Sequence, residues 1–420
     1  MAEAAVDVVV MLGDEDVMAG RLWGHRRRGA ESATFAYAPG YLRRADAYEL
    51  DPSLPLLGGP LQTPAGRAMF GAFSDCAPDR WGRRLIGRAE RERARRGGAA
   101  QRSFGERDYL IGVRDDLRQG ALRFRDPVSG AYLAVEPDGV PPLVELPKLL
   151  NAAVRLDRDE AEEEDLRLLL RGGSSLGGAR PKAHVLSEGG RIAIAKFPSP
   201  AHDEWDVMRW EAVALGLARL AGVHVPDWTL HLIDRKAVLI VDRFDRAGTR
   251  RIGYSSAMTM LEVADGDPGS YLDIGAVIER HSTQAREDLR ELWRRVAVSI
   301  LISNTDDHLR NHGFLRTTSA GWTLSPAFDL NPDPGPGAKR FSTSIDFHDC
   351  TTSVDMLLDV AGHFRLDGVE ARRVLADVSN AIGRWQTVAQ QVGLARAAVE
   401  QMRPAFEHDQ ARRTREIVLR

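Results

Sequence analysis

Apolar runs bounded by turn residues open the chain. Val8-Val9-Val10-Met11-Leu12 predicts a buried strand, closed by a Gly13-Asp14-Glu15-Asp16 turn. Thr34-Phe35-Ala36-Tyr37-Ala38 sets its two aromatic residues on one face of another strand, and Arg26-Arg27-Arg28 between them reads as a solvated hairpin tip. Residues 51–64, rich in Pro, Gly and Leu, read as extended, and residues 65–76 and 78–96 as helices. Residues 109–113 and 121–124 predict a short hairpin pair, and residues 127–142 a domain boundary. The period then lengthens to that of amphipathic helices over residues 143–170, before two short strands at 183–186 and 192–197. A helix over 204–220 carries Val207, Trp210, Ala214, Leu217 and Ala218 on one face. Residues 229–233 and 237–241 form a hairpin over Asp234-Arg235-Lys236. Residues 255–300 are largely helical, with Leu289, Leu292, Trp293, Val296 and Ile300 at core spacing. Short strands at 313–315 and 321–324 precede a helical tail over 353–420.

Composition narrows the class. A 420-residue chain that is 43% hydrophobic and 28% charged can bury the cores of two or three domains and lacks the apolar depletion of disordered chains. A net charge of −3 gives no global field for nucleic acid, though arginine-rich runs such as residues 88–96 could act locally; Glu90 and Glu92 favour a solvated face there. Two distant cysteines, Cys76 and Cys350, form neither a disulfide framework nor a zinc site, which fits a reducing cytoplasm. No basic leader and no run of 18 apolar residues is present, so neither export nor a membrane span is expected.

Two polar stretches carry the chemistry. Asn304-Thr305-Asp306-Asp307-His308-Leu309-Arg310-Asn311 sets two carboxylates, an imidazole and two amides between apolar segments, with Phe328-Asp329-Leu330 downstream. The Asp306-to-Asn311 spacing equals that of the protein-kinase catalytic loop, where the Asp accepts a hydroxyl proton and the Asn holds Mg²⁺. Adjacent Asp306 and Asp307 could exchange roles or shift each other's ionisation, but only Asp306 has that spacing. His308 is either a structural hydrogen-bonding residue or part of the chemistry. The second stretch, Gly172-Gly173-Ser174-Ser175-Leu176-Gly177-Gly178-Ala179-Arg180-Pro181-Lys182, is a loop whose backbone N–H groups can turn toward an anion, though not with P-loop spacing. Lys196, in the apolar strand that follows, suits a nucleotide phosphate, and Glu211 is either its partner or an exposed residue. The strand ending at Asp242-Arg243-Phe244-Asp245-Arg246 could join two lobes and read adenine.

These pieces, in this order, resemble the HipA family, serine/threonine kinase toxins of bacterial type II toxin–antitoxin pairs, over essentially the whole chain. The resemblance implies an α+β, protein-kinase-like (HipA-like) fold: a mixed N-lobe with a small N-terminal β-rich subdomain and an all-helical C-lobe. The implied divisions are 1–135, the N-terminal subdomain; 136–242, the N-lobe with the Gly-rich ATP loop and strand lysine; and 243–420, the helical C-lobe with the catalytic loop and Mg-binding Asp. By that resemblance Asp306 is the catalytic base and His308 the catalytic-loop histidine, with Asn311 and Asp329 as Mg²⁺ ligands. ATP is contacted by Leu176, Gly177, Gly178, Ala179, Arg180, Lys182, Lys196, Asp242, Arg243, Phe244, His308, Asn311, Phe328 and Asp329. Ser175, with Ser174 adjacent, matches the autophosphorylated serine whose modification switches the enzyme off. A phosphoserine adds about −1.5 to −2 charges at pH 7, which would repel a nucleotide from that loop.

The same resemblance implies ATP and Mg²⁺ as cofactors, a HipB-like helix-turn-helix antitoxin, and DNA reached mainly through it. It also implies a protein substrate related to translation, such as an aminoacyl-tRNA synthetase, a cytoplasmic location and no membrane partner. Fold alone leaves two alternatives: a small-molecule phosphotransferase, or a non-catalytic co-repressor bound to the antitoxin.

Overall fold

The computed structural model describes residues 5–27, 29–98, 100–135, 138–173, 178–347 and 349–419. The chain forms two compact units. One comprises Met1–His202, Asp242–Ala264 and Leu315–Ser319; the other comprises Asp203–Val241, Asp265–Phe314 and Ala320–Arg420.

In the first unit the opening apolar runs become an antiparallel sheet. Its strands, in spatial order, are Pro60–Gln62, Ala30–Tyr37, Glu15–Arg27, Val6–Leu12 and Leu122–Arg125. Alternation sends Phe35 and Tyr37 inward as expected, and Phe35 meets Phe73, which in turn meets Phe124 at ring-centroid distances of 5.6 and 6.1 Å. Fully burying each such side chain contributes about 1.5–3 kcal/mol. The Arg80–Gly97 helix begins where Asp79 accepts from the Gly82 N–H at 2.7 Å and ends at Gly98, in the left-handed conformation.

Two expectations fail here. Residues 109–113 are not a strand: Glu106–Gly112 is a helix, because the Gly105 N–H donates to Asp108 Oδ2 and so satisfies the first turn. Leu122–Arg125 therefore pairs with Val6–Leu12 instead. Only Gly71–Ser74 of residues 65–76 is helical. Short apolar runs do not distinguish strand from helix by periodicity alone.

The second unit is mainly helical. Its principal helices are Val207–Leu220, Tyr271–His281, Ala285–Leu301, Gly368–Ile382, Trp385–Gln391, Arg396–Phe406 and Asp409–Val418. Their starts carry local caps: Asp206 caps the first, and Ser270 with Asp273 and Asp367 with Glu370 form capping boxes. The expected core stripe Leu289, Leu292, Trp293, Val296 and Ile300 is buried, and Trp385 stacks on Phe406 at 4.6 Å. The hairpin of Trp228–Ile233 and Lys236–Asp242 turns through Asp234 and Arg235, both at positive φ. Among the described residues no helix is long and apolar enough to cross a membrane.

A buried guanidinium closes the first unit's core. Arg118, 0% exposed, donates to the carbonyls of Leu110 (2.7 Å), Val113 (2.8 Å) and Cys76 (3.3 Å) and lies 4.5 Å over Phe124. Arg118→Leu keeps apolar volume but leaves those carbonyls unpaired. It should cost about 3 kcal/mol or more, read as a lowered urea midpoint at unchanged m-value; an unchanged midpoint would refute the assignment.

Candidate active site

The loop after the Ala285–Leu301 helix is held by buried polar side chains, while one carboxylate is left outside. Ser303 adopts φ +55° and Asp329 φ +60°, conformations that non-glycine residues keep only when their surroundings over-determine them. The surroundings do so. Asn304, 1% exposed, accepts the Asn331 N–H on Oδ1 at 3.0 Å, and its Nδ2 lies 3.3 Å from Ser299 Oγ. Asp333 donates its N–H to the Ser303 carbonyl at 3.2 Å and accepts from the Thr305 hydroxyl at 3.2 Å. These bonds tie the segment carrying Asp329 to the segment carrying Asp306.

Asp307 is the inner carboxylate. It accepts from the Tyr271 hydroxyl at 2.6 Å and Ser299 at 3.2 Å, and His312 Nε2 lies 3.1 Å from its Oδ1. Burial raises its pKa, but His312, Tyr271 and Ser299 outweigh that and hold the carboxyl below the ordinary value. Its backbone carbonyl is taken by Thr343 Oγ1 at 2.7 Å. Asp306, by contrast, is exposed. Asn311 Nδ2 donates to the Asp306 carbonyl at 3.1 Å, which spends the amide's nitrogen on the loop and leaves Oδ1 as its acceptor. His308 starts the Leu309–Asn311 turn, and its Nδ1 is buried with no hydrogen-bond partner among the described residues.

The first unit carries the glycine loop. Ser174, Ser175, Leu176 and Gly177 lie outside the described residues. The stem before them needs glycine: a Cβ on Gly172 would meet that of Ala183 at 2.7 Å, and one on Gly173, at φ +75°, would meet Leu117 Cδ1 at 2.6 Å. After them, Gly178 and Ala179 are exposed and Arg180 half-buried. Lys182–Leu186 pairs antiparallel with Ile192–Lys196, in a register that sets Lys182 directly opposite Lys196. Like charges so placed repel unless anions compensate. Lys182 Nζ has Asp79 Oδ2 at 2.7 Å; burial raises the Asp79 carboxyl in spite of that lysine. Glu211 is buried, which removes the exposed alternative.

Residues 242–246 contain more structure than their sequence shows. All five Arg243 N–H groups have partners: Asp245 Oδ1 (2.8 Å) and Oδ2 (2.6 Å), the carbonyls of Leu117 (2.7 Å) and Arg118 (3.1 Å), and His184 Nε2 (3.2 Å). Because arginine only donates, His184 Nε2 must accept, so Nδ1 carries the proton and donates to the Gly172 carbonyl at 2.8 Å. Burial and the Arg243 charge push His184 down to about 3, so it stays neutral. Asp242 pairs with the exposed Arg191 at 2.7 Å, and half-buried Phe244 lies 6.3 Å from the Tyr254 ring. Any ligand contact at Arg243 is thereby left to its backbone.

Within the second unit, then, the structure brings Asp306, Asn311 and the Asp329 segment together. In the first it gathers Gly178, Lys182 and Lys196. Asn304, Tyr271, His312, Thr343, Asp79 and Trp81 went unassigned by the sequence reading. Asn304 alone had a signal, its place in the polar run. His312 directly follows that run, and the others come from segments whose proximity no local pattern encodes.

The model of the HipA-like C-terminal domain matches residues 174–406, taking in the Asn304–Asn311 stretch and the glycine loop from Ser174 onward. Y4dM of Sinorhizobium fredii (strain NBRC 101917 / NGR234), named as a candidate kinase, is 30% identical over 154 residues; the match covers 33% of this chain and only 36% of that relative's length. A chain of the Shewanella oneidensis MR-1 toxin–antitoxin complex of HipA, HipB and operator DNA superposes with a TM-score of 0.62 over 99% of both chains. At 16% identity that likeness is one of fold, and it meets the α+β expectation. With more than half its length matched by one family model, the chain belongs to the HipA-like C-terminal domain family.

Proposed function

We propose that this chain is an ATP- and Mg²⁺-dependent serine/threonine protein kinase, the toxin of a toxin–antitoxin pair. One observation carries the reading. Of two adjacent carboxylates, Asp307 is buried and fully occupied, whereas Asp306 is presented outward on a loop pinned by Asn304, Thr343 and Asp307 itself. A base must reach its proton, and a rigid support keeps it placed.

In this reading Asp306 accepts the proton of the substrate hydroxyl, and His308 and Phe328 stand beside the nucleotide. Asn311 Oδ1 and Asp329 are an all-oxygen donor pair, which fits Mg²⁺, an ion that commonly takes one or two protein ligands and completes its shell with water and phosphate. When bound, the ion supplies charge neutralisation at the transferring phosphoryl group. Lys196, Lys182, Arg180 and the backbone of Gly178 and Ala179 hold the phosphates. Asp242, Arg243 and Phe244 meet the adenine, Arg243 through its main chain. Leu176 and Gly177 complete the loop, and Ser175 or Ser174 is its phosphorylation site.

The HipA, HipB and operator DNA assembly supports an antitoxin and DNA as partners; in this reading the antitoxin is a HipB-like helix-turn-helix protein that carries the contact with DNA. A translation-related protein such as an aminoacyl-tRNA synthetase is the substrate class, and the cytoplasm the place of action.

Incubation with ATP and Mg²⁺ should add one phosphate to Ser174 or Ser175, seen by intact mass and phosphosite mapping, and Asp306→Ala should add none. Absence of the gain in unphosphorylated wild type would count against the kinase reading. Asp306→Asn and Asp329→Asn should each lower radiolabel transfer from ATP at least about 100-fold without moving Tm; a fully active Asp329→Asn protein removes the metal role. Asp307→Asn should act on stability instead, costing about 3–5 kcal/mol at neutral pH. Because the folded Asp307 carboxyl lies below its ordinary 3.8, its contribution is present above that value and fades as pH falls through the lower folded one. Denaturation curves of wild type and Asp307→Asn should therefore converge in acid; a gap that widens there contradicts the assignment.

A further inference from the structure

The glycine loop leaves toward Lys182 under the grip of a helix start far away in sequence. Asp79 divides its two carboxylate oxygens between two tasks. Oδ1 accepts the Gly82 N–H at 2.7 Å, capping the Arg80–Gly97 helix, and Oδ2 lies 2.7 Å from Lys182 Nζ. The two side chains are 7% and 9% exposed. Trp81, 1% exposed, donates its indole N–H to the Lys182 carbonyl at 3.0 Å and its backbone N–H to the Gly178 carbonyl at 3.5 Å. Arg83 Nε donates back to the Pro78 carbonyl at 3.0 Å, bracing the corner from which both residues project. Residues 178 and 182 are thus held from one side, the lysine at both backbone and ammonium. A lysine stem is flexible, and fixing its head ahead of time reduces the ordering cost of binding an anion. The family match begins at residue 174, so this grip comes from outside the matched domain.

We propose that Asp79 and Trp81 are positioning residues for nucleotide binding, holding Lys182 and the outgoing half of the glycine loop ready for the phosphates. The first third of the chain is then a working part of the ATP site. This rests on the reading of Lys182 as a phosphate-holding group.

The test uses the full chain, titrated with ATP and Mg²⁺ by calorimetry, with hydrogen exchange followed at residues 178–182. Asp79→Asn keeps an oxygen for the Gly82 cap but removes the charge facing Lys182, and should weaken ATP binding about 10-fold. Trp81→Phe keeps an aromatic ring and loses the indole donor, and should weaken it about 3-fold. Both should raise exchange at 178–182 and leave the sheet around Val6–Leu12 unchanged. Lys182→Met should bind ATP as weakly as Lys182→Met with Asp79→Asn, a non-additivity that a merely structural role would not produce. The paired replacement also relieves the unpaired lysine, so the result survives if Asp79→Asn alone folds poorly. Unchanged exchange at 178–182 in Trp81→Phe and in the folded Asp79 variants overturns the grip itself, as does full additivity. Raised exchange in a protein whose wild type binds no ATP overturns the nucleotide reading beneath it.

Discussion

The Arg243 guanidinium is the constraint on which the first unit depends. It joins four segments that are far apart in the chain: the Leu117–Arg118 turn, His184 on the strand after the glycine loop, Asp245, and through His184 the Gly172 carbonyl at the loop's stem. Asp245 completes the knot by accepting the Gly120 N–H at 2.8 Å and an Arg246 N–H at 2.9 Å. Burial alone would raise the Asp245 carboxyl, but Arg243 and Arg246 outweigh it and keep it ionised. A buried ion pair of this kind contributes little net stability after desolvation. What it contributes is geometry, because a planar donor with five fixed N–H directions accepts few arrangements of its partners.

The second unit solves a related problem with carboxylates. Two aspartates side by side in one loop would repel if both faced the same ligand. The fold separates them by environment: Tyr271, Ser299 and His312 enclose Asp307, while Asp306 keeps its access to solvent. Asn304 then carries the order one segment further by fixing Asn331, two residues beyond Asp329. The inward residues supply rigidity, so a strained φ at Asp329 can persist while Asp306 stays exposed.

How much of this was legible depended on the range of the interaction. The helices capped by Asp79 and Asp206 begin close to the expected spans 78–96 and 204–220, because a cap is a contact over two or three residues, whereas the starts at Ser270 and Asp367 fall inside broad stretches read only as helical. The long stripe from Leu289 to Ile300 was readable because periodicity accumulates over several turns. Residues 109–113 were misread because five apolar-rich residues support either period, and the deciding contact, Gly105 to Asp108, lies just outside them. Arg243 showed a different limit. The sequence places it among nucleotide-contacting residues, and only its partners, from residues 117, 118, 184 and 245, show that its side chain is taken up within the fold.

By itself, then, the sequence determined the α+β class, the order of the polar stretches, the family resemblance and the spacing that singled out Asp306, all of which are local or ordinal along the chain. Tertiary structure alone decided which carboxylate is enclosed, which arginine is used up in the core and which distant helix start holds Lys182. Burial and hydrogen-bond saturation are properties of a residue's neighbours in space, and those neighbours come from distant parts of the chain, as Leu117, 126 residues away, does at Arg243.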